Sequence, residues 1–92
     1  MYPDLKLFIA GKWRKATSDM TVVNPATEEE LGRLPCASKS DLDDALEAAE
    51  KGFRIWSRTS PRDRADTMLR AAALIRERQE EIAQSMTLEH GK

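Results

Sequence analysis

Cysteine, histidine and glycine are scarce in this chain, and each shortage excludes a class of site. The 92 residues contain one cysteine, one histidine and four glycines. A single cysteine cannot form an internal disulfide framework, and one histidine is too few for a zinc site or a catalytic triad. The glycines form neither a G-x-G-x-x-G fingerprint nor a phosphate loop. We therefore predict no catalytic and no cofactor-binding residue here.

Cys36 and His90 both have simple structural interpretations. The segment RLPCASK around Cys36 contains no histidine, and a reactive thiol needs a base, a cation or a helix N-terminus. A helix that begins four residues later is weak support, so we interpret Cys36 as a small apolar residue at a strand end. His90 falls in the last turn of a predicted helix, where a cation interacts favourably with the helix dipole.

The chain also lacks an excess of either charge. Fifteen basic and sixteen acidic residues leave a net charge of −1, and no basic patch appears, so nucleic acid is not an expected partner. No apolar run is long enough to cross a bilayer, and the first residues lack the pattern of a secretory signal. We expect a soluble, cytoplasmic protein with no membrane partner.

The pattern of residues 1–37 predicts a β-hairpin arm. Leu5, Leu7 and Ile9 occupy alternate positions, and Ala10-Gly11 can turn the chain so that KWRK returns as a second strand. TVV is predicted as a third strand, ended by Asn24-Pro25, and ELGRLP as a fourth. We expect antiparallel hairpins.

The pattern of residues 38–92 predicts a helical hairpin of two or three helices. Ser40 is the expected N-cap of the first helix, and Ser60-Pro61 begins the second. A shift of the apolar stripe predicts a break near Arg78-Gln79, and Gly91 is the expected C-cap of the last segment. Apolar residues at steps of three and four form one face of each of the first two helices: Leu42, Ala45, Leu46, Ala49, Phe53 and Trp56, then Ala65, Met68, Leu69, Ala72 and Ile75.

Taken in order, these stretches resemble the amino-terminal region of NAD(P)-dependent aldehyde dehydrogenases. The similar stretches are LFIAGKW, VVNPATEEELGRLP and the helical sequence from Asp41 to Lys92. The segment MTLEHGK most closely resembles the succinate-semialdehyde branch. The resemblance implies an α/β parent enzyme with a Rossmann-type cofactor domain. This α+β segment, short antiparallel hairpins followed by helices, would form the opening part of that domain, and the family chain would continue beyond LEHGK.

The resemblance also implies the chemistry of the parent. Such enzymes oxidise an aldehyde to its carboxylic acid by thiolate attack, hydride transfer to NAD or NADP and hydrolysis of a thioester. Their catalytic cysteine, glutamate base and nucleotide loop come later in the chain, and Cys36 does not match that cysteine. The segment alone is therefore expected to be inactive and to bind no cofactor. Its expected partners are the remainder of the parent enzyme and further copies in a homo-oligomer.

One minor site of the family reaches this segment. Some relatives hold an alkali cation with main-chain oxygens before the Asn-Pro turn and an acidic residue in a later helix, at positions that match Val22, Val23 and Glu89. Carbonyl oxygens and a carboxylate suit a hard cation. Some relatives have aspartate where this chain has the longer Glu89, and the alternative is an ordinary helix-end carboxylate.

A free-standing protein-binding module, in which the helical pair presents an apolar groove, is the other hypothesis. The two hypotheses differ in where the large apolar side chains lie. An autonomous domain should bury Trp13, Phe53 and Trp56 within itself, whereas an enzyme segment should leave some of them exposed.

Overall fold

A computed structural model describes residues 2–91 as two antiparallel hairpins followed by three helices. This arrangement confirms the predicted α+β class. The elements in chain order are β1 (Leu7–Ile9), β2 (Lys12–Arg14), β3 (Ser18–Val23), β4 (Glu30–Cys36), α1 (Lys39–Trp56), α2 (Pro61–Glu77) and α3 (Gln79–His90).

The first hairpin, β1–β2, closes through the predicted Ala10-Gly11 turn. Both turn residues have positive φ, 55° and 76°, as a two-residue type I′ turn requires. Phe8 faces Trp13 across the ladder, with ring centroids 4.7 Å apart, a spacing typical of stabilising aromatic pairs. Local turn chemistry and this cross-strand pair therefore set the register.

The second hairpin, β3–β4, is longer and contains an irregularity near its turn. β3 begins at Ser18, three residues before the predicted TVV, and pairs with β4 along its length. The register shifts between Val22 and Val23, because Val22 faces Gly32 whereas Val23 faces Glu30. Leu31 is the extra residue of this β-bulge, which bends the strand and re-aims its backbone groups.

Helix α1 starts earlier than the sequence analysis predicted. Ser40 is not the N-cap; Ser38 is, because its side chain accepts a hydrogen bond from the Asp41 backbone N–H while the Asp41 carboxylate accepts from the Ser38 N–H. This reciprocal pair is a capping box, which requires an acidic residue three positions after the cap. Ser40 also has an acidic residue, Asp43, three positions later, so spacing alone does not choose between the serines; Asp41, which completes the box with Ser38, is also held by Arg14.

The other predicted helix boundaries are confirmed. Ser60 caps α2 by accepting from the Asp63 N–H, with Pro61 at the first helical position. The break falls at Arg78, between α2 and α3, and Gly91 ends α3 with φ 75°.

A charge cluster ties the first hairpin to α1. Arg14 at the end of β2 donates to Asp41 at 3.1 Å and to Asp44 at 2.9 Å. Hydrogen bonding to Asp44 and then to Asp41 raises the pKa of Arg14. β1 packs against α1, and Ile9 is the buried hydrophobic residue of residues 2–91, at 8% exposure.

The molecule is thin and leaves its apolar faces open. Its Cα atoms span 47 × 34 × 15 Å with a radius of gyration of 16.6 Å, whereas a compact chain of this length would have about 12 Å. Trp13 is 68% exposed, Phe53 69% and Trp56 41%. The apolar stripes of α1 and α2 therefore do not bury one another, as the enzyme-segment hypothesis expects. Within residues 2–91, no helix is long and apolar enough to cross a membrane.

Candidate functional site

The Asn-Pro turn between β3 and β4 forms one side of the candidate site. The Asn24 side-chain oxygen accepts from the Ala26 N–H at 2.9 Å, its backbone N–H donates to the Glu29 carbonyl at 3.0 Å, and its carbonyl accepts from the Glu28 N–H at 2.8 Å. Glu28 closes the turn with φ 63°. Asparagine is favoured here because its side chain can bond to the backbone two residues on.

The end of helix α3 rests on this turn. A Cβ added at Gly91 would lie only 2.8 Å from the Ala26 nitrogen and 3.4 Å from the Asn24 side-chain oxygen. Gly91 is also left-handed, so glycine is required there both by conformation and by the close approach. The contact brings the last turn of α3, which carries Glu89, to the turn end of the β3–β4 hairpin.

Tyr2 connects Glu89 to the strands. Its hydroxyl donates a hydrogen bond to Oε1 of Glu89, and its ring lies against Gly32, where an added Cβ would meet Cδ2 at 3.1 Å. Gly32 is the partner of Val22 in the ladder. The hydrogen bond to Glu89, followed by burial and the charge of Glu89, raises the pKa of Tyr2. Sequence analysis missed this residue.

Val22 and Val23, whose carbonyl oxygens are the predicted cation ligands, lie at the turn end of β3. In a regular antiparallel strand, successive carbonyl oxygens alternate between the partner strand and the opposite edge. The bulge lies in β4, where Leu31 is the extra residue opposite these two valines, and it locally disrupts the ladder that pairs their backbone groups. Residues 2–91 contain no cluster of three or more His, Cys, Asp or Glu side chains suited to a metal. A cation held here would therefore take one carboxylate, Glu89, with backbone oxygens.

This end of the molecule is open to water. The cleft beside it has a volume of about 560 Å³ and includes Tyr2, Gly32 and Arg33 in its wall. The Arg33 guanidinium forms ion pairs with Asp19 at 2.6 Å and with Glu30 at 3.3 Å. Glu89 does not line this cleft, but its side chain is itself exposed, so solvent and small ions reach it.

Cys36 and His90 lie at the ends of their elements. Cys36 is the last residue of β4, half-buried, opposite Ser18, with its Sγ 3.8 Å from the Leu34 carbonyl oxygen. His90 is the last residue of α3, next to Gly91. That both lack a catalytic role stays a prediction.

Comparison with known proteins points to one family. The family model described as the aldehyde dehydrogenase family matches residues 13–92. The human mitochondrial acylating methylmalonate-semialdehyde/malonate-semialdehyde dehydrogenase is 42% identical over 98% of this chain and 17% of that protein. Malonate-semialdehyde dehydrogenase 2 of Geobacillus thermodenitrificans is 42% identical over 96% of this chain and 19% of that protein.

Solved structures agree with these relatives. An aldehyde dehydrogenase from Bartonella henselae superposes with a TM-score of 0.89 and 30% identity, over 99% of this chain and 20% of that one. An NAD-dependent benzaldehyde dehydrogenase from Corynebacterium glutamicum superposes with a TM-score of 0.85 and 34% identity, over 91% of this chain and 19% of that one. The chain spans about one fifth of the length of the proteins it matches.

Proposed function

The chain belongs to the aldehyde dehydrogenase family, and from this we infer that it is the amino-terminal scaffold of an NAD(P)-dependent enzyme that oxidises an aldehyde to its carboxylic acid. The superposition of 99% of the chain on about one fifth of an aldehyde dehydrogenase carries the proposal. NAD is favoured by the name of one structural neighbour, and NADP remains the alternative. The family match over most of the chain favours this function over the free-standing binding module.

We propose that these residues support the fold of the parent enzyme, whereas its catalytic residues lie in another part of the parent chain. A nicotinamide cofactor would supply the hydride acceptor. The four glycines of this chain form no nucleotide-binding fingerprint, so we propose that no residue here holds it. The 92-residue chain alone is therefore expected to give no nicotinamide reduction with any aldehyde. Reduction that scales with the concentration of the pure chain would contradict this.

For the substrate, we propose a short semialdehyde, an aldehyde that also carries a carboxylate. The relatives act, by their names, on malonate and methylmalonate semialdehydes, and these names do not support the succinate-semialdehyde assignment suggested by MTLEHGK. Malonate and succinate semialdehydes differ by one methylene. In a pocket that discriminates substrates by chain length, one methylene changes kcat/KM by about 10- to 200-fold.

The substrate test compares three aldehydes on the full-length protein. Nicotinamide reduction is measured with malonate semialdehyde, succinate semialdehyde and benzaldehyde, each with and without a thiol acceptor for the acyl group. The expected order of kcat/KM is malonate, succinate, then benzaldehyde. A preference for benzaldehyde would overturn the semialdehyde proposal while leaving aldehyde oxidation intact, and no reduction with any of them would overturn the enzyme proposal itself.

We also propose that Val22, Val23 and Glu89 hold an alkali cation. The proposal is supported by the disruption of the ladder opposite the two valines, at the β4 bulge, and by the contact of the α3 end with the Asn24 turn. A monovalent ion here would neutralise Glu89 and join the hairpin to the helix. Sodium NMR line broadening by the full-length protein should be lost in Glu89→Gln. Equal broadening by the two proteins would show that the ion binds elsewhere.

The proposed partners of the chain are the remainder of the parent enzyme and further copies of it in a homo-oligomer. The exposed apolar stripes of α1 and α2 support the first of these. A cytoplasmic location also remains a proposal, and some relatives carry a mitochondrial designation in their names.

A further inference from the structure

Tyr2 touches two parts of the chain that are distant from it in sequence. Its hydroxyl donates to Glu89, 87 positions away, and its ring covers Gly32 at 3.1 and 3.3 Å from an added Cβ. Gly32 lies opposite Val22. Tyr2 therefore joins the helix that carries the carboxylate to the strand pair that carries the two carbonyls.

Glycine at position 32 makes this contact possible. A larger residue would place its Cβ 3.1 Å from the Tyr2 ring, tighter than nine in ten Cβ contacts in proteins, so the ring would have to move by a few tenths of an ångström. The Tyr2 ring therefore lies against the ladder at Gly32, opposite Val22, and its hydroxyl reaches the Glu89 carboxylate.

A phenol is a suitable group to hold a carboxylate without neutralising it. Its O–H is an uncharged donor, and an ionised carboxylate has two oxygens that both accept. With Oε1 bonded to Tyr2, the negative charge and the second oxygen remain for a hard cation. A lysine or arginine in the same place would instead compete with the cation.

We propose that Tyr2 is a positioning residue whose hydroxyl holds the Glu89 carboxylate beside Val22 and Val23 for a monovalent cation. This inference rests on the cation site proposed above. Glutamate has one more rotatable bond than aspartate, so it loses more conformational entropy when it binds an ion. A second group that fixes its orientation reduces that loss. Tyr2 thus compensates for the length of Glu89.

The test uses the full-length protein and separates cation binding from stability. Thermal unfolding midpoints are recorded against Na⁺ or K⁺ concentration, with choline chloride keeping the ionic strength constant, because choline is a bulky quaternary cation that carboxylate and carbonyl oxygens cannot coordinate directly. The variants are Tyr2→Phe, which removes only the hydroxyl, and Glu89→Gln. Glu81→Gln, at the other end of α3, is the matched control for losing one helix carboxylate.

The wild-type midpoint should rise with Na⁺ or K⁺, and Glu81→Gln should follow it. Glu89→Gln should show no rise. Tyr2→Phe should need about tenfold more cation for half of the rise, the lower end of the range for a lost hydrogen bond to a charged group, because the site is open to water. This shift in cation concentration is one that a purely structural residue would not produce.

Other outcomes overturn different parts of the account. A wild-type protein that responds equally to choline and to Na⁺ or K⁺ would overturn the cation site. A selective wild-type response with unchanged half-saturation in Tyr2→Phe would overturn the positioning role alone, even if that variant is less stable in choline. Tighter cation binding by Tyr2→Phe would also overturn it, because the hydroxyl would then be a competitor.

Discussion

Gly11 and Gly52 both have free space around them, but their backbone conformations differ. A Cβ added at Gly11 or at Gly52 would meet nothing within 4 Å. Gly11 has φ 76° in the β1–β2 turn, where an L-residue is strained by roughly 1–2 kcal/mol. Gly52 lies inside α1, where glycine is about 1 kcal/mol worse than alanine. The same substitution should therefore have opposite effects at the two positions.

Gly11→Ala should lower the local stability of the β1–β2 hairpin by about 1 kcal/mol, and Gly52→Ala should raise that of α1 by a similar amount. Amide hydrogen exchange in the full-length protein reports each element separately. Effects of the same sign at both positions would contradict the assigned backbone conformations.

The residues of the candidate site differ in how readily they can be predicted from the sequence. Gly91 could be predicted as a helix cap, because glycine after a helical stretch is a local signal. Its approach to Ala26 could not be predicted, since that depends on how α3 and the turn pack. Tyr2 carries no local pattern that would pair it with Glu89, 87 positions away.

At the scale of the element, the two serines before α1 provide a direct test of where the helix begins. Ser38 makes the capping box with Asp41, so Ser38→Ala should lower the stability of α1 by about 1 kcal/mol. Ser40→Ala should have little effect, since that residue lies in the first helical turn. Ser60→Ala is a positive control at the cap of α2. A larger loss in Ser40→Ala than in Ser38→Ala would restore the original assignment.

The same cap predicts acid sensitivity. The backbone N–H of Ser38, then its hydroxyl and Arg14, hold the pKa of Asp41 below its usual value. A carboxyl with a depressed folded-state pKa stabilises the fold above its unfolded value of about 3.9 and loses this contribution as the pH falls through its folded-state pKa. Asp41→Asn should therefore destabilise α1 at neutral pH, and its difference from the wild type should shrink below about pH 4.

Urea unfolding of the wild type and Asp41→Asn across this pH range measures the difference. A penalty that stays constant down to the lowest pH would mean that the charge of Asp41 is irrelevant to the cap.

Most elements could be predicted because their signals are local. Alternating Leu7 and Ile9, the Ala10-Gly11 turn and Ser60-Pro61 all act within a few residues. The length of β3 was underestimated, because Ser18–Met20 have no strand pattern of their own and extend only by pairing with β4. The start of α1 was misplaced, because two serines compete and the choice depends on the carboxylate of Asp41.

At the scale of the whole molecule, the chain lacks a second packed layer. Domains bury their apolar faces between at least two layers, yet the large apolar side chains of the α1 and α2 stripes are 41–69% exposed here. Fully burying each large apolar side chain is worth about 1.5–3 kcal/mol. The isolated chain should therefore self-associate at micromolar concentration, through these stripes and the open strand edges. Sedimentation checks this, and a compact monomer that binds no hydrophobic dye would favour the autonomous module.

The central claim is that the rest of an aldehyde dehydrogenase covers the open apolar stripes of α1 and α2. Hydroxyl-radical footprinting of the full-length protein tests it most directly, read at Phe53, Trp56, Met68 and Leu69, which are 69%, 41%, 63% and 67% exposed in this segment. The account predicts that these side chains are strongly protected in the full-length protein compared with the 92-residue chain, which is labelled at a concentration low enough for sedimentation to show a monomer. Equal modification of these side chains in the two proteins would contradict it.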